Sequence, residues 1–166
     1  MWLMGPATLA FAVPVFENIS IIRKHWLSIT AGVVTAVIVA VSSSIFLARM
    51  LSLPDLIQRS LAVRSITTPF AMSAAQIIGG EADLAALFVV ITGVFGFAIG
   101  ELVFVMLSVK SGHAIGAGFG AASHGAGAAK SYQLGSHQGV IASLVMMLTG
   151  IVIVLGSPLI KIVFFN

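Results

Sequence analysis

The chain of 166 residues has no cysteine, one tyrosine, two tryptophans and few charges, with Asp, Glu, Lys and Arg together making only 8% of it. Without cysteine there is neither a disulfide framework nor a thiolate to bind metal or attack a substrate, and the redox character of the exposed loops is not encoded. So little charge excludes an ordinary soluble domain, in which about a quarter of residues are charged. Eight basic residues scattered along the chain and a net charge of +3 make no nucleic-acid patch, and they suit membrane-flanking anchors better. What is present is apolar: hydrophobic residues make up 59% and the mean hydropathy is +1.15. That is the composition of an integral membrane protein.

A helical crossing of a hydrocarbon layer roughly 30 Å thick takes about 20 apolar residues. Leu27 to Ala48, Ala82 to Leu107 and His137 to Leu159 are each long enough. They run far beyond the roughly ten-residue alternating segments of a transmembrane barrel. The expected fold class is therefore all-α, a polytopic membrane helical bundle forming a single membrane domain over residues 1–166. Arg23, Lys24 and His25 flank the first run on one side and Arg49 on the other, with Trp26 suited to the interface. Met1 to Phe16 is apolar but short and carries Pro6 and Pro14, so it reads as a partial or kinked span. Lacking a basic start and a polar cleavage region, it is less well read as a signal peptide.

Two shorter segments interrupt this pattern. The long runs begin at 27, 82 and 137, and the hydroxyl-bearing breaks at Thr68 and Ser123 share the same 55-residue offset. Even spacing is common in polytopic chains, yet it does not explain a hydroxyl at both breaks. The expectation is an internal repeat, with units over residues 27–107 and 82–161, each holding one broken or re-entrant helix. If the breaks dip in and return, the units are inverted; if they traverse, the units are parallel.

At the first break, Ser65-Ile66-Thr67-Thr68-Pro69, Thr68 is the expected N-cap, with Pro69 at the first helical position and Gly79 and Gly80 ending the helix. Asp55, Arg59 and Arg64 suggest a surface helix just before it. The second break offers Ser123 as a cap, His124 beside it, and Gly125 and Gly127 to let the backbone bend. Unpaired N–H groups at such helix starts need partners at membrane depth, and a small carboxylate suits the positive end of the helix dipole. Ser65, Thr67, Thr68, Pro69, Ser123, His124, Gly125, Gly127 and Lys130 are the candidate substrate-binding residues.

Continuing the helix from Ser123 places Lys130 on the same face about 10 Å away, where it either attracts an anion or snorkels to the interface. His124 has three open roles: donating to substrate, carrying a proton, or bonding a backbone carbonyl. Glu101 is titratable or interfacial. His113, His124 and His137 have no second ligand at helical spacing, so neither a metal nor another cofactor is expected. Small residues at every fourth position (Ser28, Gly32, Ala36 and Ala40; Gly112, Gly116 and Gly120; Ser123, Gly127 and Ser131) mark packing seams within one chain or between two.

Four stretches in register, Leu3 to Val15 with Gly5-Pro6-Ala7-Thr8, Ser65 to Met72, Val89 to Gly93, and Ser123-His124-Gly125-Ala126-Gly127, resemble successive signatures of the LrgB/CidB (YohK-like) membrane family. The resemblance covers essentially the whole chain. It implies a multi-pass protein of the bacterial cytoplasmic membrane, paired with a small holin-like LrgA/CidA-type partner, linked to murein hydrolase control and lysis, and implicated in moving small carboxylates such as pyruvate or glycolate. It carries over to Thr67, Thr68 and Pro69 in the first break and to Ser123, His124, Gly125 and Gly127 in the second. It also implies about 65 further residues ahead of Gly5, enough for two or three spans, and an uncharged residue where this chain has Glu101.

The leading expectation is a carrier for small monocarboxylates in the lipid bilayer, not an enzyme, with proton or sodium coupling and a homo-oligomeric state. The alternative is a holin-like or antiholin-like oligomeric pore or regulatory partner. Ser123 and His124 do not form a catalytic pair, because neighbouring helical side chains point about 100° apart.

Overall fold

A computed structural model describes Phe16 and residues 19–165, and all its elements are helical: α1 Ile19–Met50, α2 Asp55–Ala62, α3 Thr68–Ile78, α4 Ala82–Met106, α5 Gly112–Leu134 and α6 Ser136–Phe165. The kinked span expected over Met1 to Phe16 falls, but for Phe16, outside the described residues, as does the stretch Leu3 to Val15. The helices long and apolar enough to cross a membrane are Ile29–Met50 within α1, Ala82–Met106 and Ser136–Phe165, close to the three runs read from the sequence. Their outward sides carry exposed Phe46, Val90, Phe95, Leu155 and Ile162, which suits hydrocarbon rather than water.

The short helices α2 and α3 form a hairpin that enters from the end where α1 finishes and returns to it. Arg59, on α2, donates to the carbonyls of Ile78 at the close of α3 (2.7 Å) and of Phe165 at the close of α6 (3.0 Å). Arg49, near the end of α1, donates to the Phe164 carbonyl. These guanidinium groups meet helix C-termini, where unpaired carbonyls and the dipole favour a cation. Arg59 is further held by Asp55 at 2.6 Å and lies over the Phe165 ring at 4.8 Å. Gly79 closes α3 with φ 81°, and the Glu81 N–H donates to the Ser60 hydroxyl at 2.9 Å, pinning the start of α4 to α2.

The second hairpin lies within α5 and enters from the opposite end. His124 has φ 41° and ψ −127°, which is not helical, and the chain folds back there. In a continuous helix residues eight apart lie about 12 Å apart along the axis. Here a Cβ on Gly127 would fall 2.2 Å from the carbonyl oxygen of Phe119. Both ends of α5 meet the start of α6: Gly112 and Gly135 each abut the Gln138 side chain, and the His113 and His137 rings touch with Nε2 atoms 3.1 Å apart. Of the two paths left open for the breaks, Gly112 to Leu134 does not take the one that traverses as a broken helix. It dips in and returns, because His124 interrupts the helix at its midpoint.

The chain therefore runs the length of the bundle in α1, dips and returns in α2–α3, runs back in α4, dips and returns from the other end in α5, and runs the length again in α6. The core reflects this path. Val41 and Ile45 of α1, Val63 and Ile66 at the first hairpin tip, Val89 of α4 and Ile153 of α6 form one buried cluster. The second hairpin seats Ala128 against Ala142, Met146 and Met147 of α6. Where helices cannot rely on water to drive them together, association depends on close packing. The seam Gly112, Gly116 and Gly120 serves this within the chain, since a Cβ on Gly120 would lie 2.2 Å from the Ala142 carbonyl oxygen.

Gly120→Ala is expected to force α5 away from the α6 backbone and destabilise the protein by about 1–3 kcal/mol. Gly32→Ala, where an added Cβ meets nothing within 4 Å, should be neutral or slightly stabilising. Thermal unfolding of both variants in detergent micelles measures the contrast, and equal melting temperatures would contradict the packing described.

Candidate functional site

The tip of the second hairpin is built against α4. His124 is 7% exposed, and its Nε2 lies 2.9 Å from the carbonyl oxygen of Val89. A carbonyl only accepts, so Nε2 carries the hydrogen and Nδ1 is left as the acceptor of the neutral ring. Of the roles open to His124 from sequence, the backbone-carbonyl bond is present, and it leaves Nδ1 for either of the others. Ser123 is buried, its hydroxyl makes no hydrogen bond among the described residues, and it sits against Gly96, where a Cβ would fall 1.7 Å from its Oγ. Gly93 likewise makes room for the His124 ring and Gly100 for Phe119. One glycine face of α4 thus receives Phe119, Ser123 and His124 in turn. The left-handed φ of His124 costs about 1–3 kcal/mol for a residue with a Cβ. Gly125, just past the turn, opens onto free space.

The tip of the first hairpin approaches the same stretch of α4. Thr67, not Thr68, is the N-cap of α3: it has extended backbone (φ −63°, ψ 148°) and its carbonyl accepts from the Ala71 N–H at 2.9 Å, so Pro69 falls within the first turn. The Thr67 hydroxyl does not cap the helix. It is buried with no hydrogen-bond partner. Ser65 is also buried. Arg64, expected on a surface helix with Asp55 and Arg59, instead reaches inward: Nε donates to Ser44 Oγ at 3.0 Å and Nη1 approaches Thr92 Oγ1 at 3.4 Å. Thr92 lies ten residues into α4, about 15 Å along its axis and near the middle of the hydrocarbon layer. Arg64 is the residue that sequence reasoning missed. The available signal was a cation directly before a hydroxyl-rich break, flanked by apolar sequence.

Thr92 and Gly93 are adjacent, so Arg64 from one hairpin and His124 from the other hold the same turn of α4. Lys130 belongs elsewhere. Its Nζ pairs with Glu101 at 2.8 Å and lies 5.6 Å from the centre of the Phe97 ring. The estimate of about 10 Å from Ser123 along a shared helical face assumed an unbroken helix, and the reversal at His124 removes that basis. No group of three side chains able to hold a metal ion occurs among the described residues.

An all-helical membrane protein in which two hairpins dip from opposite ends and meet on a glycine-faced crossing helix is the class that this architecture defines. The chain belongs to the LrgB-like family, whose profile matches residues 1–162. It is 33% identical over 94% of its length to the uncharacterized protein YwbG of Bacillus subtilis, covering 69% of that protein. It is 29% identical to the antiholin-like protein LrgB of Bacillus subtilis, over 93% of this chain and 67% of that one. A Bacillus cereus antiholin-like protein LrgB is 28% identical over 94% of this chain and 68% of its own length. No solved structure matches.

Because His124 combines a strained backbone with a side-chain bond, its substitutions should rank in an unusual order. His124→Ala loses the Val89 bond and keeps the strain, whereas His124→Gly loses the bond and relieves it, so the glycine variant should be the more stable by about 1 kcal/mol. Thermal unfolding in micelles is the measurement, and an alanine variant at least as stable as the glycine variant would contradict the strained turn.

Proposed function

We propose that this protein is a multi-pass carrier for small monocarboxylates, such as pyruvate or glycolate, in the bacterial cytoplasmic membrane. The observation that carries the reading is the meeting of two oppositely directed hairpin tips on one turn of α4, at a depth where polar groups are costly unless they serve a function. Interrupted helices that meet near the middle of the bilayer, in units of opposite direction, form the binding sites of many secondary transporters. In this reading residues 27–107 and 82–161 act as two such units. Ser65, Thr67, Thr68, Ser123 and His124 face the substrate, Pro69 shapes the start of α3, and Gly125 and Gly127 allow the return of the second hairpin. Nδ1 of His124 is free to accept a proton from the incoming acid or from water. Lys130 takes no direct part, because Glu101 already balances it.

Membership in the LrgB-like family supports, beside this activity, a role in the control of murein hydrolases and lysis. The antiholin-like names of the relatives favour a second reading, in which the protein regulates or joins a pore formed with a small LrgA/CidA-type partner. In that reading Gly32 and Ala36, which line an apolar groove with Ala117, Gly118 and Ile141, serve contacts between chains.

Uptake of labelled pyruvate or glycolate into proteoliposomes separates the readings. A carrier gives saturable uptake that falls at least tenfold in Ser123→Ala and His124→Ala, the scale expected when one polar contact of about 1.5 kcal/mol is lost. Dye leakage that rises steeply with protein density and ignores both substitutions would refute the carrier and support a pore.

A further inference from the structure

We propose that Arg64 anchors the carboxylate of a small monoanion in a cavity between the first hairpin and α4, a reading that rests on the carrier function above and locates its charge-recognising group. The cavity is a half-open groove of about 280 Å³ on the outer side of α4, lined by Leu61, Arg64, Phe88, Ile91, Thr92 and Phe95, of which Ile91 and Phe95 are exposed. Its polar part is a guanidinium and a hydroxyl. The remainder is aliphatic or aromatic.

Arg64 is suited to this by what it lacks. The ion pairs among the described residues are Arg59 with Asp55 and Lys130 with Glu101, so no carboxylate among those residues balances Arg64. Its Nε and Nη1 are occupied by the neutral hydroxyls of Ser44 and Thr92, and Nη2 donates to no atom of the described residues. Ser44 is itself fixed, passing its own hydrogen to the Ala40 carbonyl at 2.6 Å. A guanidinium held by two hydroxyls near the middle of the bilayer, with a donor to spare and no counter-ion among the described residues, is a costly arrangement unless an anion completes it. The geometry of its N–H groups matches a carboxylate. Outside the lining of this groove but in the same hairpin tip, Thr67 is 6% exposed and its hydroxyl is without a hydrogen-bond partner among the described residues, a second polar group of the tip left to be satisfied.

The lining also states which anions fit. One cation matches one carboxylate, and Phe88, Ile91 and Phe95 accept a short apolar tail. A second carboxylate would meet those same side chains without a partner, at a large desolvation cost. Monocarboxylates should therefore be selected over dicarboxylates of the same size, and over neutral amides. Arginine is favoured over lysine here, because an ammonium at this site would reach fewer of the same acceptors.

The test uses the full chain in proteoliposomes with labelled pyruvate, with unlabelled pyruvate, malonate and pyruvamide as competitors, and with equilibrium dialysis of labelled pyruvate against the micellar protein. Pyruvate should compete, while malonate and pyruvamide should not. Arg64→Gln should raise KM for uptake, and Kd in dialysis, by about tenfold to a hundredfold, the loss expected for a charge-assisted bond, and Arg64→Lys by a smaller factor. An unchanged KM in Arg64→Gln, or competition by malonate equal to that by pyruvate, overturns the assignment. If Arg64→Gln fails to fold, Arg64→Lys and the competitor order decide. Pyruvate binding that depends on Arg64 without saturable uptake upholds the subsite and refutes the carrier, whereas absence of binding by the parent chain refutes the subsite.

Discussion

The close approach of α5 to α4 along Gly93, Gly96 and Gly100 is the constraint on which the rest of the architecture depends. A hairpin that stops halfway through a bilayer leaves backbone polar groups at its turn, and lipid offers them nothing. The turn survives only if protein surrounds it. The glycines of α4 let the Ser123 and His124 backbone come close enough for the His124 ring to reach the Val89 carbonyl. That bond in turn offsets part of the strain of a left-handed histidine. Side chains on that face of α4 would hold the hairpin away, and the turn would lose its shelter.

The two hairpins are supported by different chemistry although they mirror one another in direction. The first is tied down at its open end by cations on carbonyls, with Arg59 reaching the ends of α3 and α6, and its tip is held by Arg64 on Ser44 and Thr92. The second relies on small residues. Gly116 and Gly120 lie against the α6 backbone, and the charge near its open end, Lys130, is balanced locally by Glu101. This division follows the number of donors available. The first hairpin contains arginines that can satisfy helix C-termini, while α5 has almost no charge and must pack tightly instead.

Such an arrangement joins rigidity to a small polar centre. The crossing helices present apolar surface outward, and polar groups from both tips, Arg64 on Thr92 and Ser123 and His124 beside Gly96 and Val89, reach the middle stretch of α4. Polar groups gathered in an apolar surround interact more strongly with an anion than the same groups in water, because the effective dielectric is lower. That is the physical link between the family's fold and the handling of small organic acids proposed here.

Much of this was legible in the residues alone. The three crossings followed from apolar runs of sufficient length, and the two breaks followed from Thr-Thr-Pro and Ser-His-Gly, because proline, glycine and hydroxyl side chains act on the backbone locally. Local chemistry does not determine where a chain goes after a break. That α5 returns rather than crosses, that Lys130 meets Glu101, and that Arg64 turns inward while Arg59 stays at the end of the bundle are outcomes of packing between segments distant in sequence. They were decided by the tertiary structure, since an ion pair or a glycine contact joins residues whose separation along the chain carries no record of their separation in space.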